Sequence, residues 1–382
     1  MIDTALLVQM LLGALLGLSV YLPLACGTLS LATPGFYAFG GTVAALLSTR
    51  VPALTGTLAG GTLAGAGEAT AGGYPLLSVL VEMAVAALLC GLLAYGIGSL
   101  VLRLRGIYLT IATIALVEIL RVVSLNLEIT GGAVGIFSIP QPFADPGGYA
   151  LFALLLLALV CWLCQRLAAT RPGLAMAAIR DDEIAAASQG IATARSKRLA
   201  FVLSALVAAV TGVVAAHFLN AWNPKLGNFD ASITSLAFVV FGGSRTWIGP
   251  VVGGLVLTAL PELLRPVGDL RLIVFGLVIL LGPSLFPQGL ITPALLAAPQ
   301  RRLPAPLRRW LAGDQAGNYL IPATTAANST IEPSTSEPVS TEPASPEPFS
   351  ISDPAITDPT TSAPSPATTG SSPAAPEAEA GR

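Results

Sequence analysis

Two residues of opposite charge stand three apart inside an apolar run, Ile114-Ala-Leu-Val-Glu118-Ile-Leu-Arg121. At that spacing they share one helix face and can pair. Either charge alone costs roughly 2.5–3.5 kcal/mol at the centre of a bilayer on insertion scales. The pair should therefore face the interior of a helix bundle or a wet cavity. Its chemistry is that of a path for a polar solute, of a structural ion pair, or of a contact with a partner. A single carboxylate, Glu118 or Glu82, could instead carry a coupling proton. A shorter echo, Pro261-Glu262-Leu-Leu-Arg265, stands at the end of a later run.

Other reactive side chains are sparse. His217, near the end of an apolar run, suits a helix–helix hydrogen bond. Cys161 and Cys164 make a C-x-x-C within a helical apolar stretch, with no further ligand nearby, so they read as small apolar side chains. The runs hold no Ser/His or His/Asp/Glu cluster, which argues against an enzyme. The chain has two lysines, Lys197 and Lys225, and neither follows the glycine of a phosphate-cradling loop. ATP hydrolysis by that route is excluded, and no cofactor is expected in this chain. Glycines mark two joints. Thr130-Gly131-Gly132-Ala-Val-Gly135 follows the Glu118 run and suits the mouth of a path. Gly242-Gly243-Ser244-Arg245 separates two short apolar segments.

The elements that must position these residues are membrane helices. Of 382 residues, 54% are hydrophobic and only 10% charged, with mean hydropathy +0.76. Soluble domains carry about 25% charged residues. A net charge of −2 offers no nucleic-acid surface. A crossing helix needs about 20 apolar residues. The candidates are Ala5–Ala25, Thr28–Thr49, Leu76–Leu102, Gly106–Asn126, Tyr149–Gln165, Leu199–Leu219, Ser232–Gly242, Gly249–Leu264 and Leu270–Pro287. The reading is an all-α polytopic bundle of about nine hydrophobic segments. The seventh and eighth are short: full spans or the halves of a re-entrant hairpin. The first lacks the basic start of a secretory signal and reads as a retained span.

Basic residues orient the bundle. The loop 166–198 carries Arg166, Arg171, Arg180, Arg195, Lys197 and Arg198. Arg103 and Arg105 precede the fourth span, and Arg301, Arg302, Arg308 and Arg309 follow the last. All fall on one side by span count, which should be the cytoplasm. Glu128–Gly148 has no Lys or Arg, and Asn220–Asp230 has only Lys225. The glycine-rich stretch between Arg50 and Tyr74 should also lie outside, as should the N-terminus, with the C-terminus inside. A permease domain is expected over 1–298 and a Pro/Ser/Thr/Ala-rich, largely disordered cytoplasmic tail over 299–382, which lacks the apolar residues to offset chain entropy.

Inside the basic loop runs Arg171-Pro-Gly-Leu-Ala-Met-Ala-Ala-Ile-Arg180-Asp181-Asp182-Glu183-Ile-Ala-Ala-Ala-Ser-Gln-Gly190-Ile191. It is helix-prone, amphipathic and densely charged, and Gly190 permits a stop. A soluble partner could grip such a segment; a plain solvated linker is the alternative.

These pieces, in this order, resemble the LivM-type permeases of branched-chain amino acid ABC importers. The matching runs are Arg105-Gly-Ile-Tyr-Leu-Thr-Ile-Ala-Thr113, Glu118-Ile-Leu-Arg121, Thr130-Gly-Gly-Ala-Val-Gly-Ile136 and Ala178-Ile-Arg-Asp-Asp-Glu-Ile-Ala-Ala186. Gly190-Ile191, Gly242-Gly243, Gly249-Pro250, Pro261-Glu-Leu-Leu-Arg265 and Phe286-Pro-Gln-Gly-Leu290 complete the set. The resemblance implies a second, LivH-like permease subunit, two ATPase subunits that bind ATP and Mg, a periplasmic substrate-binding protein, and surrounding membrane lipid. It implies that Arg180–Ile191, with Arg180, Asp181, Asp182, Glu183, Gly190 and Ile191, is a coupling helix seated on an ATPase. Glu118, Arg121, Thr130, Gly131, Gly132, Gly242 and Gly243 are then the candidates for the translocation path. The sequence departs from the family at Ser30-Leu31-Ala32-Thr33-Pro34-Gly35, at Arg245 and Trp247, and in its tail. The first two changes could reshape the cavity, so neutral amino acids, urea or short amides are open as substrates. A proton-coupled secondary transporter is the rival from another class.

Overall fold

Backbone polar groups in hydrocarbon find no water, and a helix satisfies them within one segment. In the computed structural model, which describes residues 3–50, 74–285 and 289–290, the apolar runs accordingly fold as helices. These residues all fall within one of the chain's two units, Met1–Ile321. In order come α1 (Thr4–Leu24), α2 (Thr33–Arg50), α3 (Leu76–Val101), α4 (Ile107–Asn126) and α5 (Pro146–Ala169). Two short helices follow, α6 (Arg171–Asp181) and α7 (Glu183–Ser188). Then come α8 (Thr193–Leu219), α9 (Phe229–Gly242), α10 (Ile248–Leu263) and α11 (Arg271–Leu285). The only strands among the described residues are β1 (Ile136–Phe137) and β2 (Ala221–Trp222), paired antiparallel with Ile136 opposite Trp222. The chain is thus the all-α bundle expected. The expectations for the glycine-rich stretch after Arg50 and for the tail from 299 lie outside the described residues.

Five helices, α1, α3, α4, α5 and α8, are long and apolar enough to cross a membrane. Two of them form the centre. In their most apolar stretches α1 and α8 are 61% and 67% buried, against 28–33% for α3, α4 and α5. The central contacts are made by small residues that let backbones approach, as expected where lipid supplies no hydrophobic drive between helices. A Cβ on Gly40 of α2 would stand 2.6 Å from Ala209 Cα of α8. One on Gly254 of α10 would stand 2.6 Å from Ala14 Cα of α1. α2 falls below the others in hydropathy because its neighbours are protein; most of its residues are buried, including Thr42 and Ser48, whose hydroxyls donate to Ala38 O and Ala44 O one turn back.

Two helices begin inside the bundle rather than at its ends. The sequence places the second span from Thr28, but α2 starts at Thr33. Thr28–Ala32 is non-helical, and Thr28, Ser30, Leu31 and Ala32 are all buried. The Leu31 N–H donates to Thr113 Oγ1 of α4 at 3.1 Å, and Thr33 Oγ1 meets Ser204 Oγ of α8 at 3.3 Å. Ser204 stands eleven residues into α8, about 16 Å from its start at 1.5 Å per residue. Irregular backbone at such depth is tolerated where protein covers it, and here side-chain hydroxyls complete its hydrogen bonds.

The second case is α9. After α8 ends at Leu219, with Asn220 left-handed at φ 56°, the chain runs back along α2. Trp222 donates Nε1–H to Ala38 O at 3.0 Å, and Gly227 reaches Pro34 O. The 14-residue α9 therefore begins partway down the bundle and only finishes the descent. Its joint with α10 lies at the end of the bundle that carries Arg180, whose Nη1 donates to Ser244 O at 3.4 Å. α10 leads away from that end, and after α11 Leu290 N–H donates to Phe241 O at 2.9 Å. The seventh and eighth segments thus turn at an end of the bundle and not at mid-depth.

Candidate translocation path and coupling segment

The Glu118–Arg121 pair forms as the spacing requires. Arg121 Nε and Nη2 both donate to Glu118 Oε2, at 2.8 and 2.5 Å. The pair does not face this chain's own interior. Glu118 and Arg121 are 37% and 29% exposed, on a face of α4 shared with exposed Ile111, Ile119 and Val122. The opposite face of α4, with Leu116, Val117 and Leu120, packs on α2, where Gly35 comes within contact of Val117. An ion pair on an uncovered apolar helix is costly against lipid, so this face fits another polar surface.

Thr130 is buried, and its hydroxyl lies 2.5 Å from Ser124 O and 2.7 Å from Leu127 O, capping the last turn of α4. Gly131 and Gly132 have φ +72° and +60°, in the left-handed region that favours glycine. Gly135 lies against Trp222 O, and Asn223 Nδ2 donates to Ala133 O at 3.0 Å. The glycine turn is thereby tied to the descending 220–228 segment at the end of the bundle opposite Arg180. Gly242 and Gly243 do something else. Gly242 packs backbone to backbone on Gly249, and Gly243, with φ +112°, ends α9. They set the α9–α10 crossing.

The charged segment is two helices. Asp182 leaves helical geometry at φ −154° and its Oδ1 accepts from Ile184 N and Ala185 N at 2.8 and 3.1 Å, an N-cap for α7. Met176, Ile179 and Ala186 pack with Cys26 and Ala200 and hold the pair against α1 and α8. Gly190, φ +81°, closes α7, while Ile191 N donates back to Ala186 O at 3.2 Å. The acidic trio is therefore divided in its tasks. Asp182 caps, Glu183 pairs with Lys197 Nζ at 2.7 Å, and Asp181 borders a 400 Å³ cavity with Arg180, Arg245 and Tyr21. What α7 presents outward is Ile184, 78% exposed, among Ala185, Ala187 and Ser188.

One constellation is invisible in sequence. Glu82 of α3 and His217 of α8, 135 residues apart, meet at 2.6 Å with both side chains at most 1% exposed. Tyr74 donates to Glu82 Oε1, His217 Nδ1 bonds Pro140 O at 2.8 Å, and Tyr149 donates to His217 O. Because a carbonyl only accepts, the Nδ1 contact with Pro140 O is a donated N–H. The network ties α3, α5 and α8 to the 138–141 stretch. The only signal in sequence is that each residue is a lone polar group in its run. Among the described residues, no three His, Cys, Asp or Glu side chains gather as a metal site.

Comparison with known proteins adds the lineage. A family model described as "Branched-chain amino acid transport system / permease component" matches residues 2–282. The high-affinity branched-chain amino acid transport system permease protein LivM of Escherichia coli is 31% identical over 332 residues, covering 79% of this chain and 71% of that protein. Its Salmonella typhimurium counterpart is 30% identical over the same shares. The permease protein LivH of Escherichia coli is 38% identical over 88 residues, 23% of this chain and 28% of that protein. No solved structure matches significantly. With its helical bundle, its apolar spans and a family match over most of its length, the chain is a multi-pass membrane protein that belongs to the branched-chain amino acid permease family, in its LivM type.

Proposed function

We propose that the chain is one of two permease subunits of an ABC importer for branched-chain or other neutral amino acids. A second, LivH-like permease subunit covers the α4 face, and the path for the amino acid runs along that seam. Two ATPase subunits bind and hydrolyse ATP with Mg, and this chain carries neither cofactor nor catalytic residue. A periplasmic binding protein delivers the substrate and sets most of the selectivity. The Arg180 end of the bundle is cytoplasmic, as the clustering of Lys and Arg there supports. α7 meets an ATPase through Ile184, and ATP binding elsewhere switches which side of the paired bundles is open.

The observation that carries this reading is the half-exposed Glu118–Arg121 pair on a helix otherwise fit for lipid. Its burial by a partner removes the cost of exposing charge to hydrocarbon. The test is co-expression with the second permease subunit. Replacing Ile119 by Arg places an unpaired charge in the seam. Recovery of the partner should fall at least about tenfold, a loss of ~1.4 kcal/mol or more, while this chain still inserts. Recovery at the wild-type level would contradict the assignment of α4 to the seam.

A further inference from the structure

The Lys197–Glu183 ion pair forms one wall of a half-open cavity of 420 Å³. The α1–α2 connector contributes Thr28 and Leu29, and the α3–α4 turn contributes Leu104, Arg105 and Ile107. Ligand pockets typically span about 300–1,000 Å³, so a small molecule fits. The walls divide chemically. Leu29, Leu104, Ile107 and Leu109 are apolar, and the charged groups are Lys197, Arg105 and Glu183.

Lys197 is one of the chain's two lysines, and its side chain is only 11% exposed. Its ammonium has three donors. Glu183 Oε1 lies 2.7 Å from it, and among the described residues Lys197 has no other ion-pair partner. A largely buried charge with unused donors beside an open cavity is costly unless a ligand or water completes it. Glu183, 30% exposed, likewise has no other ion-pair partner among the described residues. Opposite charges side by side, facing a greasy wall, complement one chemical class: a zwitterion with an apolar side chain.

We propose that this cavity binds a free apolar α-amino acid. The carboxylate would lie on Lys197 with Arg105 in support, the α-ammonium on Glu183, and the side chain on the Leu29–Leu104–Leu109 wall. Glu183 is the first residue of α7 and Leu104 ends the α3 side, so a bound amino acid ties the coupling segment to the bundle. Its occupation from the cytoplasm restrains α7, and imported product slows further import. This inference rests on the proposed importer reading for its orientation and for the substrate class.

Two measurements test it. The purified full chain is titrated with L-leucine by calorimetry, with N-acetyl-L-leucine and L-leucinamide as probes that each lack one charge. Leucine should bind and both derivatives should bind at least about tenfold more weakly, a loss of ~1.4 kcal/mol for each deleted charge contact. Glu183→Gln should weaken leucine in the same way. Because that change also disturbs the ion pair, Thr110→Phe serves as a second variant that fills the cavity and keeps the pair, and it should abolish binding. The assembled transporter in vesicles is then preloaded with L-leucine. Uptake should drop at least about fivefold relative to empty vesicles, within the usual range of coupling between sites, and the loaded-to-empty ratio should return to one in Thr110→Phe. Equal binding of the derivatives, binding that survives Thr110→Phe, or displacement only by phosphatidylethanolamine would overturn the site. ATP-driven uptake that ignores internal leucine would overturn the restraint and leave the importer reading standing. Leucine binding without ATP-driven uptake of any amino acid would overturn the importer reading and leave the site.

Discussion

Trp222 fills the space that Gly41 leaves on α2. It is 2% exposed, any Cβ on Gly41 would collide with its ring, and its Nε1–H reaches a helix carbonyl of α2. This one side chain anchors the descending 220–228 segment and, through β2, the glycine turn that follows α4. Trp222→Ala should cost ~3–5 kcal/mol, the usual range for deleting a buried aromatic, read as a shift in the denaturation midpoint of the purified chain. An unchanged midpoint would show that the segment is held by something else. At this scale the sequence was legible in part. The Glu118–Arg121 pair could be read from its spacing, since helix geometry dictates it. Glu82 and His217 could be read only as solitary polar groups, because a contact across 135 residues leaves no trace in one sequence. The trio 181–183 looked like one charged surface. In the fold its members cap, pair and line a cavity, as neighbours on a helix end point in different directions.

The helices themselves were largely legible, because hydrocarbon permits little else. Their boundaries were not. Hydropathy runs through Thr28–Ala32, so the second span seemed to start five residues before α2 does. Four of those five residues are buried without being helical, and Thr113 Oγ1 accepts the Leu31 N–H in place of a helical carbonyl. At the other extreme, α8 begins at Thr193, six residues before the apolar run. Its first turns carry Lys197 and Arg198, which hydropathy discards but which pair with Glu183 and lie over the Tyr95 ring at 4.8 Å. The 171–191 segment likewise breaks at Asp182, and α7 presents Ile184 outward. Replacing Ile184 by Asp should cut recovery of the ATPases several-fold, ~1 kcal/mol or more, with membrane insertion intact. Asp182→Ala should cost about 1 kcal/mol of α7 stability through the lost cap and weaken the ATPases less. Equal recovery in both variants would place the ATPase contact elsewhere.

For the whole molecule, the bundle explains why so few polar groups suffice. Close-packed small residues hold α1, α2, α8 and α10 together, while α4 leaves its charged pair partly exposed. Neither of the chain's two lysines follows the glycine of a phosphate-cradling loop, and the chain belongs to a permease family. Fold class and lineage could be read from composition, span count and ordered motifs. The substrate could not, since few polar side chains stand in the apolar runs to specify one. The most direct test is uptake into vesicles. The complete complex with its binding protein should import labelled leucine only when ATP is supplied, and this chain alone should import none. Uptake by this chain alone, without ATP and lost when the proton gradient collapses, would contradict the account.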